Sequence, residues 1–328
     1  MKNPQIGKSE SKRIDKTVGR LLKDLKGVEP PLDLSQVRDY LKLDLEYYSG
    51  TDPSHLKQLV HSIRVAGNNV KMGRNMLGRV IQKLGLRGLL FWDENIIMID
   101  QDLHHAKHRW TEGHEIGHKL CDWHKHYLLG DSKDELSPTC QAKIEAEANY
   151  ADGQLLFMQD RFVAEAMAMP VSIQSVKKLK QIFGNSNAST LYRMVEEYRG
   201  PEPLVGIVSE HPHHLSDAFD PLSPCRYMIQ SKNFRQMFSN VTEQQLFKMM
   251  TGYCSFKSGG PLGNETIAII DDKGERHEFA FESFCYRYKN PSNGSYGFQV
   301  LTLGIQTKKL TGLTSVGSWQ PETARLHA

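Results

Sequence analysis

The sequence feature that most constrains this chain is His114-Glu-Ile-Gly-His118, which matches the pattern H-E-x-x-H. On an α-helix, residues four apart lie one above the other, so both imidazoles can reach one metal ion. Glu115 lies about 100° round the helix from His114, where it can hold a water molecule at the metal and take its proton. Apolar residues in and around the motif indicate that the helix is half buried; these are Trp110, Ile116 and Leu120.

A second helix, predicted over residues 143–156 from its alanine content and periodicity, offers a third ligand. A zinc site with two histidines needs a third protein ligand and leaves a fourth position for water. Glu145, Asn149 and Asp152 fall at i, i+4 and i+7 on one face. We expect Glu145 to bind the metal, and Asn149 or Asp152 to hydrogen-bond a ligand histidine from outside. Glu147 points elsewhere and is the weaker candidate; the alternative is that both glutamates are solvated helix charges.

These motifs resemble those of the ImmA/IrrE family of metallo-endopeptidases, over roughly residues 25 to 200. Members of that family have an extended strand, an Arg-x-Thr approach to H-E-x-G-H, and E-x-x-A-N on a following helix. The matching stretches here are Ile96–Ile99, Arg109–Thr111, His114–His118 and Glu145–Asn149. The resemblance implies a zincin-like domain with a small sheet and an active-site helix. It also implies a Zn²⁺ ion held by His114, His118 and Glu145, with Glu115 as the catalytic base.

The chain departs from the family pattern just after the Ala-Asn pair. Asp152 stands where a small apolar residue is usual, and Met158 ends a stretch that usually closes with proline. These differences bear on the packing of the second helix and not on the ligands. The resemblance further implies that the substrate is a protein, commonly a helix-turn-helix repressor.

Two other functions compete with a zinc endopeptidase. The chain could be a non-catalytic regulatory binding module, or a DNA-binding regulator that uses the basic N-terminus and a turn-containing helix pair at residues 171–198. In either case the metal site would be structural or idle. Structural zinc sites are closed and usually rich in cysteine, so the full H-E-x-x-H with a glutamate favours the enzyme. The second helix of the pair carries few cations, and direct nucleic-acid binding is not expected.

Composition indicates a cytoplasmic protein. The chain has no run of about 18 apolar residues that could span a membrane, and its N-terminus lacks the apolar stretch of a secretory signal. Its five cysteines are scattered without a C-x-x-C pair, which is typical of free thiols in a reducing compartment. The net charge of +3 neither requires nor excludes a polyanionic partner. The oligomeric state stays open.

The predicted helices and strands, and the glycines and prolines between them, indicate an α+β protein with two main domains. Residues 1–12 are expected to be disordered, a short helix begins at about Ile14, and Gly200–Pro203 marks a domain boundary. The C-terminal domain is expected to be α+β with an antiparallel meander; its role is unknown, with a sensor role as one alternative. The predicted parts are a basic tail with the short helix (1–25), a metalloprotease domain (26–200) with a helical insertion (about 52–87), the C-terminal domain (201–313) and a tail (314–328).

Other histidines and one cysteine are weaker candidates for the site. A β-hairpin is predicted over residues 88–99, and the histidines that follow it are interpreted as surface residues: His104, His105 and His108. His124 and His126, after the active helix, could assist a transition-state oxyanion or simply favour the helix C-terminus. Cys121 is expected to be a small buried side chain. An exposed polar loop is expected to hold the last group: His211, His213 and His214.

Overall fold

A computed structural model describes five stretches of the chain: residues 6–48, 87–103, 105–125, 138–289 and 296–309. The predicted insertion at about 52–87 lies outside these stretches except at its last position, and the predicted tail at 314–328 lies wholly outside them. The described residues form two compact units that divide near residue 194, with residues 171–173 grouped in the second. Helices and sheets are present together, which confirms the α+β class. None of the described helices has both the length and the apolar character needed to cross a membrane.

The elements up to residue 196 are α1 (Lys8–Asp24), α2 (Leu34–Leu41), β1 (Asp44–Tyr48), β2 (Gly88–Phe91), β3 (Ile96–Asp100), α3 (His105–Leu120), α4 (Pro138–Leu156), α5 (Asp160–Met167), α6 (Ile173–Phe183) and α7 (Asn187–Glu196). The first helix starts at Lys8, so the expectation of disorder through residue 12 is wrong. It forms because one stripe, Ile14, Val18 and Leu21, is buried, and α1 packs against α4.

A three-stranded sheet packs against α3, the helix of the first unit that carries the H-E-x-x-H motif. Its strand order is β1-β3-β2, with β1 parallel and β2 antiparallel to the central β3. Strands β2 and β3 form the predicted hairpin, whose turn ends at Asn95 with a positive φ of 57°, a conformation that asparagine tolerates. Both strands contact α3. The apolar central strand therefore gives the H-E-x-x-H helix a buried face to pack on.

Glycines allow α3 and α4 to approach each other closely. A Cβ at Gly117 would lie 2.5 Å from the backbone oxygen of Ala148, a distance that no side chain could tolerate. Ile116, next to it in the motif, is completely buried. The glycine of H-E-x-G-H thus brings the helix of the two histidines against the helix of Glu145.

The turn-containing pair predicted at residues 171–198 is present as α6 and α7. Arg193, a cation on α7, is only 5% exposed, and its Nη2 donates to Oε1 of Gln154 at 2.7 Å. It therefore contributes to packing within the first unit, which agrees with the expectation that this pair does not bind nucleic acid.

The second unit is built on a five-stranded antiparallel sheet with the order β5-β4-β8-β7-β6. Neighbours β6, β7 and β8 form the expected meander, and the apolar side chains of the helices pack with those of the strands in one core. Its elements are β4 (Leu204–Ser209), β5 (Cys225–Gln230), α8 (Lys232–Met237), α9 (Glu243–Tyr253), β6 (Gly260–Ile270), β7 (Arg276–Lys289) and β8 (Tyr296–Lys309).

Three histidines that follow β4 form a second-unit histidine cluster, consisting of His211, His213 and His214. The expectation that all three lie in an exposed polar loop is wrong for His211, which is completely buried. Each ring places Nε2 against a backbone oxygen of the segment after α9, at 2.9–3.0 Å. Nδ1 of His211 also accepts the backbone N–H of His213. The cluster therefore holds one loop against another.

Candidate metal centre

Two imidazoles on α3 and a carboxylate on α4 come together in the first unit. The rings of His114 and His118, one turn apart, have centroids 4.8 Å from each other. Oε2 of Glu145 lies 3.2 Å from Nε2 of His114, and its Oε1 lies 3.6 Å from Nε2 of His118. One ligand atom from each of the three side chains lies within 4.8 Å of the other two. The structure thus assembles the three side chains that the sequence indicated as ligands.

Asn149 orients His114 from the side away from Glu145. Its Oδ1 lies 3.1 Å from Nδ1 of His114, and because an amide oxygen only accepts, this Nδ1 carries hydrogen. The other nitrogen, Nε2, consequently faces Glu145. Burial disfavours the charged ring, but the carboxylates of Glu145, Glu115 and Asp152 together outweigh it and raise the pKa of His114 to about 9. A metal ion bound by Nε2 would take the place of this proton.

Glu147 is neither a solvated helix charge nor a member of the ligand group. It is 3% exposed, and its Oε2 accepts from Nε2 of His124 at 3.0 Å and from Nε1 of Trp123 at 2.6 Å. His124 in turn places its Nδ1 3.0 Å from Nδ1 of His118. No periodic pattern in the sequence connects these residues, because His124 follows the end of α3 and its position depends on the turn at residues 121–124.

Glu115 lies beside the ligand group and is 7% exposed. A Cβ at Gly88 on β2 would lie 2.5 Å from its Oε1, so glycine at that position is what lets the carboxylate reach the strand. Burial raises the pKa of Glu115 to about 7; the nearby His114 opposes the rise and Glu145 adds to it. The side chain that the sequence singled out as a base thus has an environment that favours accepting a proton.

Asp152 is fully buried on α4, with its Oδ1 close to the backbone of Gly113, where an added Cβ would lie 2.0 Å away. Neither of its oxygens has a hydrogen-bond partner in the described part of the chain. Of the two side chains expected to hydrogen-bond a ligand histidine, Asn149 makes the contact and Asp152 does not. Burial raises the pKa of Asp152 well above its ordinary value, against the opposing effects of His114 and Arg109.

The donor set of this group fits a catalytic zinc ion. Two imidazole nitrogens and one carboxylate oxygen are a known ligand set for zinc sites that keep a fourth position open. The side chain of Glu145 is 46% exposed, so the group can be approached from solvent. The outer hydrogen bond of Asn149 also fits, since ligand histidines are usually oriented in this way.

Another group of possible ligands, found only in the structure, lies at the β6–β7 turn and fits a metal less well. Ligand atoms of Asp271, Glu275 and His277 lie within 4.8 Å of one another. However, Nε2 of His277 lies 3.0 Å from Oδ2 of Asp271. The other carboxylate oxygen, Oδ1 of Asp271, accepts the backbone N–H groups of Lys273 and Glu275. These donors already satisfy Asp271, and the group holds the turn.

The other described candidates of the first unit, His108 and Cys121, lie outside the ligand group. His108 places Nε2 2.9 Å from the backbone oxygen of Leu103, and Cys121 is fully buried, which raises the pKa of its thiol. His104, the side chain of His105 and His126 lie outside the described residues. The ligand group therefore consists of the two motif histidines and one glutamate.

Comparisons with known proteins find one family model that matches the part of the chain containing this site. A family model described as "Peptidase_M78: IrrE N-terminal-like domain" matches residues 81–195, which include α3 and α4. No curated protein matches the chain. A solved structure described as a Mycobacterium tuberculosis transcriptional regulator is 11% identical, covering 89% of this chain and 76% of that one with a TM-score of 0.49, a likeness too slight to indicate a function. The family match indicates a metallopeptidase-type function for residues 81–195, and it supports the resemblance of this part of the chain to the ImmA/IrrE family.

Proposed function

We propose that this protein is a zinc-dependent endopeptidase in which His114, His118 and Glu145 hold the metal and Glu115 is the general base. The observation that carries the proposal is the convergence of three ligand atoms within 4.8 Å, with Glu115 buried beside them and outside the set. A bound zinc ion polarises a scissile carbonyl and makes a water molecule more acidic. Glu115 then takes the proton of the attacking water and passes it to the leaving nitrogen.

The edge of the small sheet offers a place for an extended substrate. Within the described residues, β2 pairs only with β3, so its other edge has backbone groups available for an added strand. Gly88 on this strand lies next to Glu115. A peptide paired with β2 would pass close to the base and the ligand group, which supports cleavage within a chain rather than at its end.

The family resemblance suggests a helix-turn-helix repressor as the protein substrate and the cytoplasm as the place of action. The five cysteines are all free, which agrees with a reducing compartment. We also propose that residues 26–200 form the protease domain and residues 201–313 a separate domain. The burial of Arg193 removes one argument for a DNA-binding role of the α6–α7 pair.

The test compares wild type, Glu115→Gln and a control, Glu112→Gln, on a helix-turn-helix repressor encoded beside the gene. Glutamine keeps the shape of Glu115 but cannot accept a proton, so cleavage should fall by about 10²–10⁴-fold while zinc stays bound. The control changes an acid on the same helix that pairs with Nε of Arg38 at 2.8 Å, and it should cleave normally.

Zinc content and the cleavage products are measured together. Cleavage by wild type and the control alone supports the proposal. Equal cleavage by Glu115→Gln contradicts the assignment of the base. Absence of cleavage by all three proteins, together with tight binding to the repressor or to DNA, would favour the non-catalytic alternatives.

A further inference from the structure

Three buried side chains form a line that ends on one of the motif histidines. Nδ1 of His118 lies 3.0 Å from Nδ1 of His124, and Nε2 of His124 lies 3.0 Å from Oε2 of Glu147. Their exposed fractions are 4%, 0% and 3% in that order. Water does not compete for these contacts, so the hydrogen bonds decide where the protons are.

The chemistry of the groups fixes the direction of each hydrogen bond. An ionised carboxylate only accepts, so Nε2 of His124 carries the hydrogen that points to Glu147. A neutral His124 then has a bare Nδ1, which accepts hydrogen from Nδ1 of His118. His124 is 0% exposed, and burial of this kind disfavours a charged ring. His118 is left with a bare Nε2 on the side of Glu145.

Without the carboxylate, the opposite arrangement becomes available. His124 could carry its hydrogen on Nδ1 and donate it to Nδ1 of His118. His118 would then carry hydrogen on Nε2, where it could not bind a metal ion. The side chain of Glu147 therefore favours the first arrangement over the second, although its hydrogen bonds go to His124 and Trp123 and not to His118.

We infer that Glu147 and His124 are positioning residues that hold His118 in the tautomer whose Nε2 is free to bind the metal. The inference rests on the proposed metal site and extends it by two residues. On the other motif histidine a single amide, Asn149, has the same effect through one contact at 3.1 Å. His118, by contrast, is connected to the carboxylate of Glu147 only through the ring of His124.

The neighbouring contacts hold this line of side chains in place. Nε1 of Trp123 donates to the same Oε2 of Glu147, so this oxygen accepts two N–H groups. The guanidinium of Arg13 lies 3.8 Å from the centroid of the Trp123 ring and is paired with Asp122 at 2.8 Å. Through Arg13, helix α1 thus contacts the turn that carries His124.

The first measurement is the zinc affinity of the full-length protein, by competition with a chelator. Glu147→Leu and His124→Leu should each bind zinc about 10–100-fold more weakly, the usual cost of losing an outer partner of a ligand. Glu147→Gln should stay within a few-fold of wild type, because its amide oxygen can still accept from His124 and Trp123. The matched control is Glu112→Leu, which removes another largely buried acid of the first unit, 13% exposed, without touching the line.

The second measurement is ¹⁵N NMR of the histidine rings after zinc has been removed. In wild type and Glu147→Gln, His118 should carry its hydrogen on Nδ1; in Glu147→Leu, part of it should move to Nε2. Wild-type His118 with hydrogen on Nε2 would overturn the inference, even if the leucine variants did not fold. A loss of affinity in Glu112→Leu equal to that in Glu147→Leu would also overturn it. Failure of wild type to bind zinc would instead contradict the proposed function, while the ring tautomer would still decide the inference.

Discussion

The two histidine clusters of this protein contain equal numbers of imidazoles and use them in opposite ways. The first-unit cluster consists of His114, His118 and His124, and the second-unit cluster of His211, His213 and His214. In the first, hydrogen bonds to side chains occupy the Nδ1 atoms of both motif rings, and their Nε2 atoms face one carboxylate. In the second, each Nε2 faces a backbone oxygen.

The difference lies in the partners of the rings and not in the rings themselves. A neutral imidazole has one bare nitrogen, and a metal can bind only if that nitrogen is not already satisfied. The partner of Nε2 in the second-unit cluster is an acceptor, so this nitrogen carries the hydrogen. We therefore expect metal chemistry in the first unit and loop stabilisation in the second. Four experiments test this contrast, beginning with the largest expected effect.

Removal of zinc should produce the largest difference between the two units in their free energy of unfolding. With free zinc at about 1,000 times its Kd, bound metal stabilises the first unit by about 4 kcal/mol, and a chelator should remove this contribution. The free energy of unfolding of the second unit should not change. Hydrogen exchange follows α3 and β7 separately in the same sample. An equal loss of protection in both helix and strand would contradict the contrast.

Substitution of one histidine in each cluster should change zinc binding in only one of them. His118→Ala removes a ligand, so its zinc affinity should fall by more than the roughly 100-fold that marks the upper range for an outer partner. His213→Ala removes an imidazole from the second unit and should bind zinc as wild type does. Titration against a chelator with a metal-sensitive dye measures both. Full zinc content in His118→Ala and Glu145→Ala would show that the ligands are wrongly assigned.

Helix periodicity explains why the ligand group could be predicted. His114 and His118, and likewise Glu145 and Asn149, are separated by four residues, which places each pair on one face of its helix. The role of Glu147 could not be predicted in this way, because its partner His124 lies in a turn beyond α3. Burial of His211 also depends on a loop, and neither loop geometry has a period in the sequence.

The start of α1 shows a different limit of sequence reasoning. Lys8, Lys12 and Lys16 made the N-terminus look like a solvated tail, yet these cations occupy the exposed side of a helix whose apolar side is buried. The three-residue stripe that anchors it, beginning at Ile14, was visible in the sequence. Its partner α4, more than a hundred residues later, was not, because long-range packing has no local pattern.

Loss of the buried ring in the second-unit cluster should reduce stability without affecting zinc. His211→Leu leaves the backbone oxygen of Lys257 and the backbone N–H of His213 without their partner, which costs about 1–3 kcal/mol for a buried group. His214→Leu, at an exposed position with one contact to the backbone oxygen of Phe256, should cost less than about 1.5 kcal/mol. Hydrogen exchange in β4 and β8 reports the change. A lower zinc affinity in His211→Leu would contradict the separation of the clusters.

The smallest effect should be the pH dependence that His211 contributes to the stability of the second unit. Burial lowers the pKa of His211, and the neighbouring His214 and His213 lower it further. The hydrogen bond to the backbone oxygen of Lys257 acts in the opposite direction. As pH falls below about 6.5, His211 binds a proton in the unfolded chain, whereas in the folded protein its lowered pKa keeps the ring neutral to a lower pH. The contribution of His211 to stability is therefore complete above about pH 6.5 and is lost as pH falls through the lowered pKa. Protection factors in β4, which correct for the slower intrinsic exchange at low pH, should fall on acidification in wild type. They should fall less steeply in His211→Gln, whose amide can donate and accept but does not titrate in this range. The same slope in both proteins would assign the pH dependence to other groups.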